Sequence, residues 1–175
     1  MGEFLWQPTS KISRLPNDSI SILLSNFAAL GLDTEDFVAL IGGHTIGTTA
    51  CKFIIDRIYS INGSIIDVNI NPLFLAQLQS LCPLIGDGLK RVALDTESEL
   101  VFDTSLYTNI LSFGRAVLKT DQSLLTTKNT YSLLQEYVRL QKFKTIFMRA
   151  MSRMSGIGVK SGVNGEIRRN CSAVN

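Results

Sequence analysis

A chain of 175 residues, 45% of them hydrophobic and 18% charged, has enough apolar material for one domain with a sizeable core, which argues against disorder as its main state. Its formal charge of +2 is spread along the sequence without a basic patch or an aromatic-interleaved basic run, so nucleic acid is not expected as a partner. No uninterrupted apolar run reaches the roughly 18 residues of a membrane span, and the opening MGEFLWQPTSK lacks the regions of an export signal, so the chain as given is expected to carry neither.

Residues 1–15 contain Pro8 and small polar residues without periodic apolar spacing, and read as an irregular leader. From Asn17 the pattern turns helical: Asp18 can cap, and Ile20, Leu23, Leu24, Phe27 and Leu30 recur at helical spacing until Gly31. Asp33, with Asp36 three residues later, offers a cap for a helix over 34–41 that puts Phe37, Leu40 and Ile41 on one face and ends at Gly42 and Gly43. A new helix from Thr48 is expected to carry Cys51, Phe53, Ile54, Ile55 and Ile58 and to stop before Asn62 and Gly63. Residues 60–72 read as loop, followed by a helix over 73–81 with Leu75, Leu78 and Leu81 inward and a stop at Cys82-Pro83. Residues 84–102 show no sustained period and read as a long ordered or functional loop, with Asp103 a cap before Tyr107, Ile110 and Leu111. After Asp121 and Gln122 comes a polar break, then one long helix over 131–151 with Leu134, Val138, Leu140, Phe143, Phe147 and Met151 as its stripe. The glycine-rich end closes on Cys171. The whole reads as mainly α with few strands.

The single histidine, His44, falls at a helix junction beside Gly42 and Gly43, where backbone can come close to a flat ligand. Taken alone, a lone histidine between apolar stretches is more often a hydrogen-bonded core residue than a ligand. Three cysteines cannot all pair with one another, which leaves an odd thiol or a partner outside the chain. No zinc set, Walker A loop, dinucleotide fingerprint or nucleophile elbow is present.

Several stretches in fixed order alter this reading: DFVALIGGHTIGTTAC at 36–51, DRIY at 56–59, LCP at 81–83, LDTESELVFD at 94–103, TDQSLL at 120–125, and GEIRRNC with a final VN at 165–175. Together they resemble the C-terminal half of a secretory plant haem peroxidase, of the class III family, over Leu15 to Asn175. The resemblance implies a haem-peroxidase-like helical fold of which residues 16–175 form the proximal, haem-ligand domain. It implies haem b with His44 as the axial iron ligand through Nε2, and Asp121 as the carboxylate that holds Nδ1-H. A carboxylate in that place pushes the imidazole toward imidazolate and enriches electron density on iron.

By the same resemblance Thr45, Asp95, Ser98, Val101 and Asp103 form a calcium site, a hard-oxygen set of the kind calcium takes. Without the resemblance, the same stretch is a loop ending in a helix cap. Cys51 and Cys82 are implied as a disulfide, while the family partner of Cys171 lies in an N-terminal half. Pro16 and Phe53 are implied at an aromatic-substrate entrance, although a phenylalanine in a helical pattern is usually core. The N-x-S triplets at Asn17, Asn62 and Asn170 agree with a secreted protein, extracellular or vacuolar.

Departures are few: Ile41 stands where the family has serine, Leu94 where it often has phenylalanine, Ser98 where it has threonine, and Asn17 in the LPxP turn. The larger one is the lack of a second histidine, since peroxide cleavage needs a base on the open side of the iron. Two functions remain. One is a peroxidase-family protein that reduces hydrogen peroxide while oxidising small phenolic donors, completed by a distal N-terminal half. The other is a truncated or degenerate, non-catalytic haem- and calcium-binding or structural protein.

Overall fold

A computed structural model describes residues 19–61, 63, 65–140 and 142–175. The expected leader over 1–15, Pro16, Asn17, the Asp18 cap and Asn62 lie outside the described residues, as does the side chain of Leu140.

Helix α1 (Ile20–Ala29) starts at Ser19, whose Oγ accepts from the Ile22 amide at 3.4 Å. Helix α2 (Thr34–Ile41) carries the expected cap in reciprocal form: Asp33 accepts from the Asp36 amide at 2.9 Å and Asp36 from the Asp33 amide at 3.0 Å. The α-helix ends at Ile41, as expected, with Gly42 as its C-cap. Gly42 keeps right-handed dihedrals, φ −58° and ψ −14°, and the chain tightens into a 3₁₀ turn over Gly42–Thr45.

The helix expected from Thr48 is replaced by a strand, β1 (Thr48–Ala50), a 3₁₀ turn (Cys51–Phe53) and one turn of helix, α3 (Ile55–Ile58). β1 pairs antiparallel with β2 (Arg91–Ala93), Thr49 opposite Val92. Its hydrogen bonds therefore come from a loop some forty residues away, and Arg91 clasps Thr48 through Nε to Oγ1 and Nη2 to the carbonyl, both at 2.6 Å. Tertiary pairing overrides a weak local helical period.

Helix α4 (Pro72–Leu81) is capped by Asn71, whose Oδ1 accepts from the Leu73 and Phe74 amides at 3.0 and 3.2 Å. It buries Phe74 and Leu78, with Leu75 and Leu81 half-buried. Asp103 accepts from the Ser105 amide at 2.8 Å, as expected of a cap, ahead of α5 (Ser105–Thr108), which widens into a π turn over Asn109–Phe113. The TDQS stretch forms α6 (Lys119–Ser123).

The single helix expected over 131–151 is two, α7 (Lys128–Leu140) and α8 (Phe143–Ser155). Tyr137 and Phe143 are both fully buried, with ring centroids 6.3 Å apart. Six residues apart on one straight helix they would face directions about 120° apart, so the chain breaks to bring both into one core. The buried row on α8 is Phe143, Ile146 and Ala150, and Met151, expected inward, is 40% exposed.

Two cores result. One gathers α1, α2, α5, α7 and α8 around Tyr107, Tyr137 and Phe143; the other packs α3, α4 and β2 around the Cys51–Cys82 disulfide. α8 is also tied to the start of α2 by the ion pairs Arg149–Glu35 and Arg153–Asp33. The architecture is mainly α, as expected, with one two-stranded sheet among the described residues. No described helix is long and apolar enough to cross a membrane.

A buried ion pair in the second core predicts the acid behaviour. Arg57 Nε donates to Asp67 Oδ2 at 3.0 Å, and both side chains are nearly closed to solvent. Desolvation is the largest influence on Asp67 and raises its pKa; the Asn69 amide and the charge and hydrogen bond of Arg57 outweigh it, leaving the carboxyl below its ordinary value. A depressed carboxyl contributes stability above its unfolded pKa of about 3.9, and the contribution is lost as pH falls through the folded value. The Tm of the wild-type protein should therefore fall more steeply below about pH 4 than that of Asp67→Asn. Parallel Tm profiles would contradict this.

Candidate functional site

The turn that leaves α2 carries two polar side chains pointing to different places. His44 is half-buried, while Thr45 is fully buried against the 94–103 loop. His44 Nδ1 lies 3.1 Å from both carboxylate oxygens of Asp121, which is closed to solvent on α6. Thr120 Oγ1 donates to Asp121 Oδ1 at 3.3 Å. Asp121 is therefore a buried partner of the ring and not a solvent-facing acid. With Nδ1 donating to the carboxylate, Nε2 is the nitrogen left with a lone pair for a ligand.

Desolvation is the largest influence on His44 and lowers its pKa; the charge and hydrogen bond of Asp121 outweigh it and leave the imidazole pKa above its ordinary value. The pair therefore stabilises the positively charged ring, which is the electronic direction in which a carboxylate pulls on the Nδ1 proton.

Gly42 has a different role from the close ligand approach expected of it. A Cβ there would overlap the Tyr107 hydroxyl and the Phe143 ring, whereas one on Gly43 would only touch Phe147, at 3.5 Å. Gly42 lets α5 and α8 press on the base of the histidine turn. Ile41, the departure from serine, is buried in that same core.

Thr45 Oγ1 lies 3.5 Å from Asp95 Oδ2, 3.4 Å from the Val101 carbonyl and 3.3 Å from Asp103 Oδ1. One hydroxyl proton cannot serve three acceptors, and the spacings are those of neighbouring oxygens around a cation with metal–oxygen bonds of about 2.4 Å. Ser98 Oγ donates to Asp103 Oδ2 at 2.7 Å and so joins the set through Asp103. Val101 contributes its carbonyl while its side chain is exposed. Desolvation, the largest influence on Asp103, raises its pKa, and hydrogen bonds from the Ser105 amide and the Ser98, Ser105 and Thr45 hydroxyls outweigh it, holding the carboxyl below its ordinary value. Among the described residues no three His, Cys, Asp or Glu side chains assemble into a metal set. The donors here are two carboxylates, hydroxyls and a carbonyl, which suit calcium.

Two residues of this site escaped sequence reasoning. Asn109 Nδ2 donates to Asp95 Oδ1 at 2.9 Å, and the Ser105 hydroxyl bonds Asp95 Oδ2, so α5 and the π turn hold that buried carboxylate. The available signal was Asn109 itself, an amide between the inward Leu106, Tyr107 and Ile110.

Cys51 and Cys82 are joined, Cα to Cα 5.4 Å, linking the turn before α3 to the end of α4; Cys171 is free and exposed. Phe53 is 56% exposed on its 3₁₀ turn, so it is not a core residue. It lines a cavity of about 50 Å³ with Leu118, Lys119 and Thr120. A wider groove of about 500 Å³ lies beside the 94–103 loop, between Asp103, Phe113 and Arg115, and does not include His44.

A family model described as Peroxidase matches residues 6–139. Peroxidase 71 of Arabidopsis thaliana is 50% identical over 161 residues, covering 91% of this chain and 49% of the relative. Peroxidase 62 of the same plant is 49% identical, covering 91% and 50%, and Peroxidase N1 of Nicotiana tabacum is 44% identical, covering 90% and 49%. The chain spans about half the length of the curated relatives it matches.

Proposed function

We infer that this chain, which belongs to the plant class III peroxidase family, is the proximal half of a haem peroxidase, with haem b held on His44 Nε2 and calcium held by Thr45, Asp95, Ser98, Val101 and Asp103. When bound, the haem would supply the redox centre at which hydrogen peroxide is reduced and small phenolic donors are oxidised. The residues of this chain do the preparatory work. Asp121 fixes the tautomer and orientation of His44, and the Thr45 hydroxyl ties the next residue of that turn to the cation site, so that calcium braces the ligand's backbone.

The carrying observation is the His44–Asp121 pair, assembled from residues 77 apart with its carboxylate fully buried. Titration of the purified chain with hemin is expected to give a Soret band that His44→Ala abolishes. A band that survives in the variant would defeat the assignment.

For calcium, the ion at about 100 times its Kd should stabilise the fold by about 2.7 kcal/mol. Tm is expected to rise with calcium and fall with chelator in the wild type, and to respond to neither in Asp103→Ala. An equal calcium response in both proteins would sink the site.

The catalytic base on the open side of the iron would come from a distal N-terminal half, which is also the proposed partner of Cys171. The Cys51–Cys82 bond suits the oxidising, secretory destination proposed for the protein. Ile46, Met148 and Met151 are exposed apolar side chains that contact with such a half would bury. The rival reading, a haem- and calcium-binding protein without catalysis, draws on the presence of one histidine in the whole chain. Oxidation of a phenolic donor well above that of free hemin, by homogeneous protein, would eliminate it.

A further inference from the structure

Arg57, in the DRIY stretch, is a buried cation. Its side chain is 4% exposed; Nε bonds Asp67 at 3.0 Å and Nη1 donates to the Ala116 carbonyl at 2.6 Å. Its own carbonyl accepts from the Asp67 amide at 3.1 Å. Nη2 is buried and has no hydrogen-bond partner among the described residues. Burying a donor in this way costs free energy unless an ordered water satisfies it.

Ala116, the residue Arg57 grips, leads into α6, and its amide donates to Gln122 Oε1 at 3.4 Å, next to Asp121. Arg57 and Thr120 line the same cavity of about 50 Å³, room for an ordered water, and the Thr120 hydroxyl bonds Asp121. The other charged groups on that cavity, Asp56 and Lys119, are exposed and of opposite sign. Desolvation lowers the Arg57 pKa most; Asp67, and after it the charge of Asp121, work against that.

We propose that Arg57 is a positioning residue acting through Asp121: it anchors the entry to α6 and sets, by its buried charge, how strongly the Asp121 carboxylate pulls on the His44 proton. Asp67 moderates that charge by partial neutralisation. The inference rests on the haem-ligand reading of His44 for its consequence, though not for its geometry. A cation near Asp121 makes the carboxylate a weaker acceptor; removing the cation should strengthen its hold on His44, and removing Asp67 should weaken it.

The test compares Arg57→Gln, Arg57→Lys and Asp67→Asn in the full chain. In the hemin-loaded protein, Arg57→Gln should shift the Fe(III)/Fe(II) balance at least tenfold toward Fe(III), about 59 mV downward for a one-electron couple. Asp67→Asn should shift it the other way, and Arg57→Lys should stay near wild type. In the apoprotein, the low-field His44 Nδ1-H resonance should move downfield in Arg57→Gln and upfield in Asp67→Asn. A merely structural pair would lower Tm in all three while moving both spectroscopic readings the same way or not at all, and that result overturns the proposal. Should Arg57→Gln not fold, the direction of the Asp67→Asn shift against Arg57→Lys decides. A chain that takes up no hemin through His44 defeats the haem reading, and the apoprotein resonance still decides the role of Arg57.

Discussion

Gly42→Ala is expected to destabilise the protein by roughly 3 kcal/mol. The new methyl group would enter space already filled by the Tyr107 hydroxyl and the Phe143 ring. Neither neighbour can step aside cheaply. Tyr107 is fully buried, donates its hydroxyl to the Val38 carbonyl at 2.8 Å, and packs edge-on against Tyr137 and Phe143 at centroid separations of 5.4 and 5.2 Å. Phe143 is clamped in turn by Phe102 and Phe147. Against a typical domain stability of about 5–15 kcal/mol, the loss is a large fraction of the whole. Denaturant melts of the variant check it, and a midpoint unchanged from wild type would refute the packing argument. Tyr107→Phe in the same background removes one of the two obstructing groups, so the double variant should recover about 1 kcal/mol of the loss.

Loss of the Cys51–Cys82 bond should cost about 3–4 kcal/mol in the chain-entropy model, given a sequence separation of 31 residues. Both cysteines are buried in the second core, among Ile54, Ile58, Phe74 and Leu78. The bond joins the end of α4 to the turn that follows β1, so freeing it loosens the whole 51–82 segment rather than one loop. Replacing both cysteines by serine is the cleaner test, because a single replacement leaves a thiol able to pair with the exposed Cys171. The double variant should melt at the denaturant concentration of the reduced wild-type protein, and well below the oxidised one. If reductant leaves the midpoint of the wild type where it was, the bond contributes little.

These two effects have different origins in the chain. The cysteine pairing was readable only by resemblance, since three cysteines leave the connectivity open. The demand on Gly42 was not readable at all. Its neighbours Tyr107 and Phe143 are 65 and 101 residues away in sequence, and a glycine pair after an apolar helix looks like a stop signal whichever side chains arrive later.

The same division runs through the fold. Helix α2 and the cap on it were legible because Asp33 and Asp36 satisfy orphan amides within one turn, and Asp103 was legible for the same reason. The break between α7 and α8 was not. Phe143 and Phe147 continue a helical period across it, and only the need to bury Tyr137 and Phe143 in one aromatic cluster reveals two helices. β1 was misread because three residues carry too little periodicity to outvote the helical spacing around them, while their partners lie in a stretch with no period of its own.

Sequence by itself determined the chemistry on offer: one imidazole, a TDQ carboxylate, an oxygen-rich loop, and a motif order that marks the family. These are properties of residue type and spacing along the chain. Tertiary structure alone decided which of them meet. It put the Asp121 carboxylate against His44 Nδ1, gathered three oxygens around Thr45, recruited Asn109 and Ser105 to hold Asp95, and set Arg57 behind α6. Such pairings are stabilised by burial and desolvation. Those quantities depend on everything packed around a group, and no local window of sequence contains them.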